Sequence, residues 1–455
     1  MREPIKLNAR LLTIAVLTLS AVVAWTEDWP RFLGPRGDAT SRETGLVGSF
    51  PEGGPRRVFS IGIGTGYAAP SVAGRLLVLH HRVGNEEIID AMDRDSGKPV
   101  WTHRYPSHYR DPFGYNNGPR CTPLLTTNRC YTLGAEGRLL CLDLETGKEI
   151  WRRDTQRDFN VPEAFFGVGS TPLLEGGLLI TMVGGQPDAG VVAFDAESGK
   201  TVWKNVGAKT WEGEPMIGWR GERTVTWEGH WKQASYASPV VATVNGRRMV
   251  FCLMRQGLVA LNPANGEEFF SRWFRATVNE SVNAANPVVV GDRVHCSAAY
   301  YGVGGFLLQV KPGNRSFDTV WANKSLEVHW MTPVEKDGFL YAFSGRNEPD
   351  AFFRCVEFGT GKVRWERDER WAKHSTKQPK VYGRGSIVLA DGKLIVLGEG
   401  GLLGLFSASP EKPVELARWQ VPELHYPCWA APVLSERRLY LRSEDRLVCL
   451  DLSAR

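Results

Sequence analysis

The stretch Leu142-Asp143-Leu144-Glu145-Thr146-Gly147-Lys148-Glu149-Ile150-Trp151 returns in near copies along most of the chain, and this recurrence limits the fold more than any other property of the sequence. Aligned on glycine, the copies are Asp93 to Gly97 with Trp101, Asp195 to Gly199 with Trp203, Asn262 to Gly266 with Phe270, and Glu357 to Gly361 with Trp365. Each places an aromatic residue four positions after the glycine. Apolar alternation running into Asp-x-x-Thr/Ser/Asn-Gly predicts a β-hairpin, because short polar side chains bond the local backbone and glycine takes a positive φ at little cost. The second strand then ends on a ring large enough to fill space between stacked sheets.

A second marker precedes each copy by about 30 residues: a proline opening an apolar run, at Pro70, Pro123, Pro172, Pro239, Pro287, Pro333 and Pro432, with Ile387 in its place once. The run after it, as in Leu173 to Ile180, reads strand, tight turn, strand. Periods of roughly 40–50 residues holding four short strands predict a β-propeller. Eight starts face only seven aromatic closures, at Trp101, Trp151, Trp203, Phe270, Trp321, Trp365 and Trp419. The last unit runs out at Leu450-Asp451-Leu452, so its missing strand has to come from elsewhere. Val58-Phe59-Ser60-Ile61 stands at the right spacing, with Phe59 where the tryptophan would be. The expectation is an all-β, eight-bladed propeller of four-stranded antiparallel blades, its last blade completed by this N-terminal strand so that no sheet edge is left open.

The pattern Ala-x-Asp-x-x-Ser/Thr-Gly-x-x-x-Trp, intact at Ala91 to Trp101 and Ala193 to Trp203, resembles the repeat of pyrroloquinoline-quinone (PQQ)-type propellers, over roughly residues 59–455. The opening Asp28-Trp29-Pro30-Arg31-Phe32-Leu33-Gly34-Pro35-Arg36-Gly37 also resembles the start of a bacterial, notably planctomycete, branch of these proteins. The resemblance implies the fold strongly and the function weakly. The repeat is shared by quinoprotein dehydrogenases and by non-enzymatic propellers such as the outer-membrane assembly factor BamB.

Residues 1–24 read as a Sec-type signal peptide. Arg2, Lys6 and Arg10 precede an apolar run from Leu11 to Ala24, too short to span a bilayer comfortably, and Val22-Val23-Ala24 offers a small-residue cleavage site. The expected destination is the periplasm or the exterior, with no transmembrane span in the mature chain and an uncleaved anchor as the alternative. Removing the segment lowers the net charge from +5 to +3, since three basic residues leave with one acid, Glu3. A near-neutral chain without a basic run argues against nucleic acid, and the expected state is a monomer. Residues 25–57, rich in Gly, Pro and Arg, read as an extended arm over a propeller at 58–455.

The eight cysteines do not read as a disulfide set. Cys141, Cys355 and Cys449 share a repeat position filled elsewhere by Ala91, Ala193 and Ala260, which marks a small buried site. Cys130, Cys252 and Cys296 fall on second strands, and a bridge between Cys121 and Cys428 would have to join blades that are not adjacent. No CxxC, HExxH, Gly-x-Ser-x-Gly or phosphate loop occurs.

In a propeller the loops entering the innermost strands converge on the axis at one face. Here they carry the candidate ligand- or partner-binding residues Asn116, Arg120, Trp231, Tyr236, Asn286, His329, Trp330, Arg384, His425 and Trp429, with Gly66-Tyr67, Tyr115, Phe165-Phe166 and Tyr426 beside them. Rings beside amides, imidazoles and guanidiniums suit an apolar site with a few directional groups, although any one of them can equally pack on a neighbouring blade. The longest interval, Trp203 to Pro239, holds Trp211, Trp219, Trp227 and Trp231, the residue type most enriched at hot spots. No metal site and no catalytic residue are expected, because the histidines have no partner at ligand spacing. The leading expectation is therefore a non-catalytic binding or scaffold propeller of the cell envelope with a protein, peptide or polymer partner and no cofactor. One alternative is a PQQ-dependent dehydrogenase using calcium. For it the resemblance implies a vicinal Cys-Cys pair, carried by the family's alcohol dehydrogenases though not by all its enzymes, and a Glu/Asn/Asp set; the pair is absent and the set is not recognisable on the matching loops. A glycan-binding module is the second alternative.

Overall fold

A computed structural model describes residues 26–162, 166–211, 235–276, 278, 281–371 and 381–454. Thirty-two strands form eight four-stranded antiparallel sheets. Seven blades are consecutive in sequence, the first running from Ser71–Ala73 at the channel to Pro99–Pro106 at the rim. The eighth combines Val433–Ser435, Arg438–Arg442 and Arg446–Asp451 with the strand Arg56–Gly62. Phe59 pairs with Cys449, so the two ends of the chain close the ring as the count of markers predicts. Among the described residues no helix is long and apolar enough to cross a membrane. The signal segment 1–24 lies outside them.

The repeated turn holds blade to blade. In blade 2 the Asp143 carboxylate accepts from the Thr146 amide and hydroxyl at 2.9 and 2.6 Å, fixing the turn that ends in Gly147. The Trp101 indole of blade 1 packs on that glycine and donates from Nε1 to the Leu144 carbonyl at 2.9 Å. Trp151, Trp203 and Trp321 repeat the contact on Ala196, Pro263 and Phe358, and Trp365 on Ser409. Their register is shared: Trp101, Trp151, Trp203, Phe270 and Trp365 stand opposite Ala91, Cys141, Ala193, Ala260 and Cys355, next to a β-bulge. That pairing explains the small residues. Trp419 departs from the expected equivalence: it pairs with Leu403, Ala417 takes the repeat's aromatic register, and the Trp419 ring packs on Gly54 of the arm. All eight cysteines are free and buried.

A belt of hydrogen bonds runs along the channel from blade 1 to blade 6, at the residue before the proline of each. Thr122 accepts from the Ala69 amide, Thr171 from Thr122, Ser238 from Thr171, Asn286 from Ser238, and Thr332 from Asn286, at 2.7–3.2 Å. The arm crosses the face that carries the turns between first and second strands. Trp29 bridges Val72, Thr40 bridges Leu389, and Leu46 bridges Ser453. Between these anchors Phe32 and Leu33 enter the channel from below.

Candidate functional site

With the arm as floor, the channel becomes a one-ended cup of about 250 Å³. In a four-stranded antiparallel blade, the loop entering the first strand and the turn between second and third strands emerge at the same end. Both sets build the cup. Entry loops supply Tyr67, Tyr115, Arg120, Phe166, Tyr236, His329, Trp330, Arg384 and Trp429, while the second-to-third turns of blades 5 and 6 supply Tyr300 and Asn347. The rings touch in series: Tyr236 to Phe166 at 5.4 Å, Phe166 to Tyr115 at 5.9 Å, Tyr115 to Trp429 at 5.6 Å, Trp429 to Trp330 at 5.2 Å, Trp330 to His329 at 4.8 Å and His329 to Tyr300 at 5.2 Å. Tyr115 and Tyr426 are exposed at the mouth.

Two arginines provide the charged lining, and each is held by a carboxylate behind the wall. Arg384 forms an ion pair with the fully buried Glu399 at 2.8 Å, lies over the Trp330 ring at 4.5 Å and donates to the Arg346 carbonyl at 2.6 Å. Glu399 also accepts from Trp429 Nε1 at 3.1 Å, so one carboxylate positions both a ring and a guanidinium. Arg120 pairs with buried Asp111 at 2.6 Å and lies over Tyr67 and Tyr109. Burial, and then the charges of Arg384 and Arg346, push the His329 pKa well below its ordinary value. A guanidinium can only donate, so Nδ1 of the neutral ring accepts from Arg384 at 3.3 Å and Nε2 carries the proton toward the Tyr300 hydroxyl at 3.3 Å. The Tyr67 hydroxyl is driven upward, by burial first and then by Glu444. No Asp or Glu stands among the described lining residues, and no group of three or more His, Cys, Asp or Glu among the described residues could hold a metal ion.

Of the ten residues singled out from sequence, Arg120, Tyr236, His329, Trp330, Arg384 and Trp429 line the cup. Asn116 is buried behind it, where it caps the Gly118 amide and donates to Glu444 at 2.7 Å. Asn286 belongs to the channel belt, because it occupies the position before proline that Thr or Ser fills in the neighbouring blades. His425 stands outside the cup with its ring 60% exposed, 3.3 Å from Asp445. Trp231, with Trp219 and Trp227, lies outside the described residues. Described Trp211 is buried and packs edge-on against Trp273 of blade 4. Sequence reasoning missed Tyr300, Glu399, Asn347 and the Phe32-Leu33 floor. The first three sit on second-to-third-strand turns, which the repeat alignment could have placed on the same face.

Fold and site together define a closed eight-bladed propeller with a one-ended aromatic cavity on its axis. Residues 85–367 match the family described as outer membrane protein assembly factor BamB, and the chain belongs to this family of PQQ-repeat propellers. Among solved structures, BamB from Moraxella catarrhalis superposes with a TM-score of 0.57 at 14% identity, covering 88% of this chain and 98% of that one. The quinohemoprotein alcohol dehydrogenase from Comamonas testosteroni gives 0.64 at 13% identity, covering 94% and 81%. Both likenesses concern the fold. The dehydrogenase subunit of a quinone-dependent alcohol dehydrogenase from Komagataeibacter europaeus is 30% identical over 148 residues, a match spanning 29% of this chain and 18% of that relative.

Proposed function

We propose that this protein is a non-catalytic binding propeller, exported to the cell envelope, that holds a segment of a partner protein in its axial cup. The observation that carries the reading is the cup's construction. It has an unbroken series of rings, and its guanidiniums are already paired to buried carboxylates, so they are fixed donors rather than reacting groups. Such a surface favours an apolar side chain with backbone carbonyls beside it. Export rests on the signal-like segment. Benzophenone placed at Tyr426 should cross-link a discrete envelope protein, and Trp330→Ala with Trp429→Ala should abolish that product without unfolding the ring. An unchanged product would refute the reading.

The match to the quinone-dependent subunit favours a second reading, a PQQ enzyme. Calcium takes six to eight oxygen ligands, usually with carboxylates among them. The described lining offers none, and Asp111 and Glu399 are committed to Arg120 and Arg384. The described residues do not fit that assembly. If protein incubated with PQQ and calcium acquired the quinone's absorption and reduced a dye with alcohols or sugars, the ranking would reverse.

A further inference from the structure

A second cavity, about 460 Å³, opens beside the cup over blades 5 and 6 and shares Asn347 with it. Its polar lining includes Arg346, Arg354 and Arg370, with Glu327 and Asp350. Two of the three cations are paired within the fold: Arg354 bonds Glu366 at 2.6 Å and Arg370 pairs with Asp368. Glu327 feels the charges of Lys324 and Arg354. Arg346 is different: its guanidinium has no ion pair or hydrogen bond among the described residues. It lies over the rings of Tyr300 and Tyr301, at 4.6 and 4.5 Å from their centroids. Tyr300 is a wall of the cup and Tyr301 a wall of the second cavity, so this guanidinium, unpaired among the described residues, stands on the partition.

The partition is built at a cost. Tyr301 has φ +54°, the left-handed region in which a bulky residue is strained by roughly 1 kcal/mol or more, and the residue is 42% exposed. The Arg346 carbonyl is tied to Arg384 at 2.6 Å, coupling the two cavities. A guanidinium seated between two aromatic faces tilted 58° to each other is held in place while its N–H groups remain available to a carboxylate, and it loses less entropy on binding. We propose that this cavity is a second compartment of the recognition face, in which Arg346 takes the carboxylate of an acidic side chain on the same partner segment whose apolar side chain enters the cup. This rests on the reading of the cup as a protein-segment site.

The test uses the whole mature chain and capped hexapeptides, each with one tryptophan or leucine and one glutamate at separations of one to four residues, beside matched peptides with glutamine. At one separation the glutamate peptide should bind about tenfold more tightly than its glutamine twin. Arg346→Gln should remove that preference while leaving glutamine-peptide affinity and melting temperature in place, and Arg346→Lys should retain part of it. Equal binding of the twins at every separation would overturn the second compartment while sparing the cup. Binding of no peptide of either kind would overturn both. Arg346-dependent binding of an oligouronate, with no peptide bound, would reassign the cavity to an acidic glycan and overturn the proposal as stated.

Discussion

The Trp101 ring rests on Gly147 of the next blade so closely that a β-carbon there would come within 2.4 Å of it. Gly147 also has φ +70°. Glycine is thus required twice, by its own turn and by the neighbour's indole. Gly147→Ala should cost about 2–4 kcal/mol, from overpacking and left-handed strain together. Gly176 provides the control: it has φ +57° with open space around it, so Gly176→Ala should cost only about 1 kcal/mol. Melting temperatures of the two variants check this, and equal losses would remove the docking contact from the account.

Trp151 makes the same contact one blade on, from its ring to Gly199 and from Nε1 to the Ala196 carbonyl at 3.0 Å. Trp151→Ala should cost on the order of 3–5 kcal/mol. Thermal or urea unfolding measures it, and a variant melting within a degree or two of the parent would contradict the packing argument.

These contacts were legible because every copy of the turn shows glycine and, four residues on, an aromatic ring, tryptophan in all but the copy that ends at Phe270. Blade count and closure followed from the same regularity, down to Phe59 in place of a tryptophan. The cup was legible only in part. Arg384 and Trp429 could be placed by rank in the repeat, but Glu399, which positions both, lies on a different turn and has no repeated signature. Asn286 stands in the belt and not in the cup lining, because amide chemistry suits a ligand site and a blade-to-blade belt equally and its place before a proline, shared with Thr171 and Ser238, puts it among the belt residues. Phe32 and Leu33 were opaque for another reason. An arm outside the repeat has no register from which its path could be inferred.

Glu399 is fully buried and serves the Arg384 guanidinium, the Arg384 amide and Trp429 Nε1. Glu399→Gln keeps the shape but removes the buried negative charge paired with Arg384, so stability should fall by about 3–5 kcal/mol. Trp330 and Trp429 should shift their fluorescence as the guanidinium leaves the Trp330 face. Unchanged emission with unchanged stability would mean that the carboxylate does not organise the cup.

His329 should remain neutral in the native state well below the pH at which an unfolded histidine takes up its proton, near ~6.5. The folded pKa is depressed, so as pH falls through that value the unfolded chain binds a proton that the native chain refuses, and stability declines. His329→Gln should flatten the pH dependence of the melting temperature between roughly 6.5 and 5 relative to the parent. Nitrogen NMR should show the Nε2-protonated neutral tautomer throughout that range, and an imidazolium signal at pH 6 would contradict the assignment.

Ring closure carries its own titration. Asp451, on the last strand of the chain, pairs with Arg56 on the N-terminal closing strand at 2.7 Å. Burial opposes its ionisation, yet the Ser453 amide and Arg56 outweigh burial and hold the carboxyl at about 2. An unfolded aspartate titrates near ~3.9, so the stabilisation is fully present above that pH and is lost as pH falls toward 2. Because Asp451 lies where the two termini meet, its protonation should loosen the eighth blade before the others. Asp451→Asn should lower the melting temperature at neutral pH and converge with the parent in acid. Hydrogen exchange should then quicken first in residues 56–62 and 446–451. If exchange at pH 3 rose evenly over all eight blades, or the variant kept its deficit at pH 2, the closure would not be the point at which acid opens the ring.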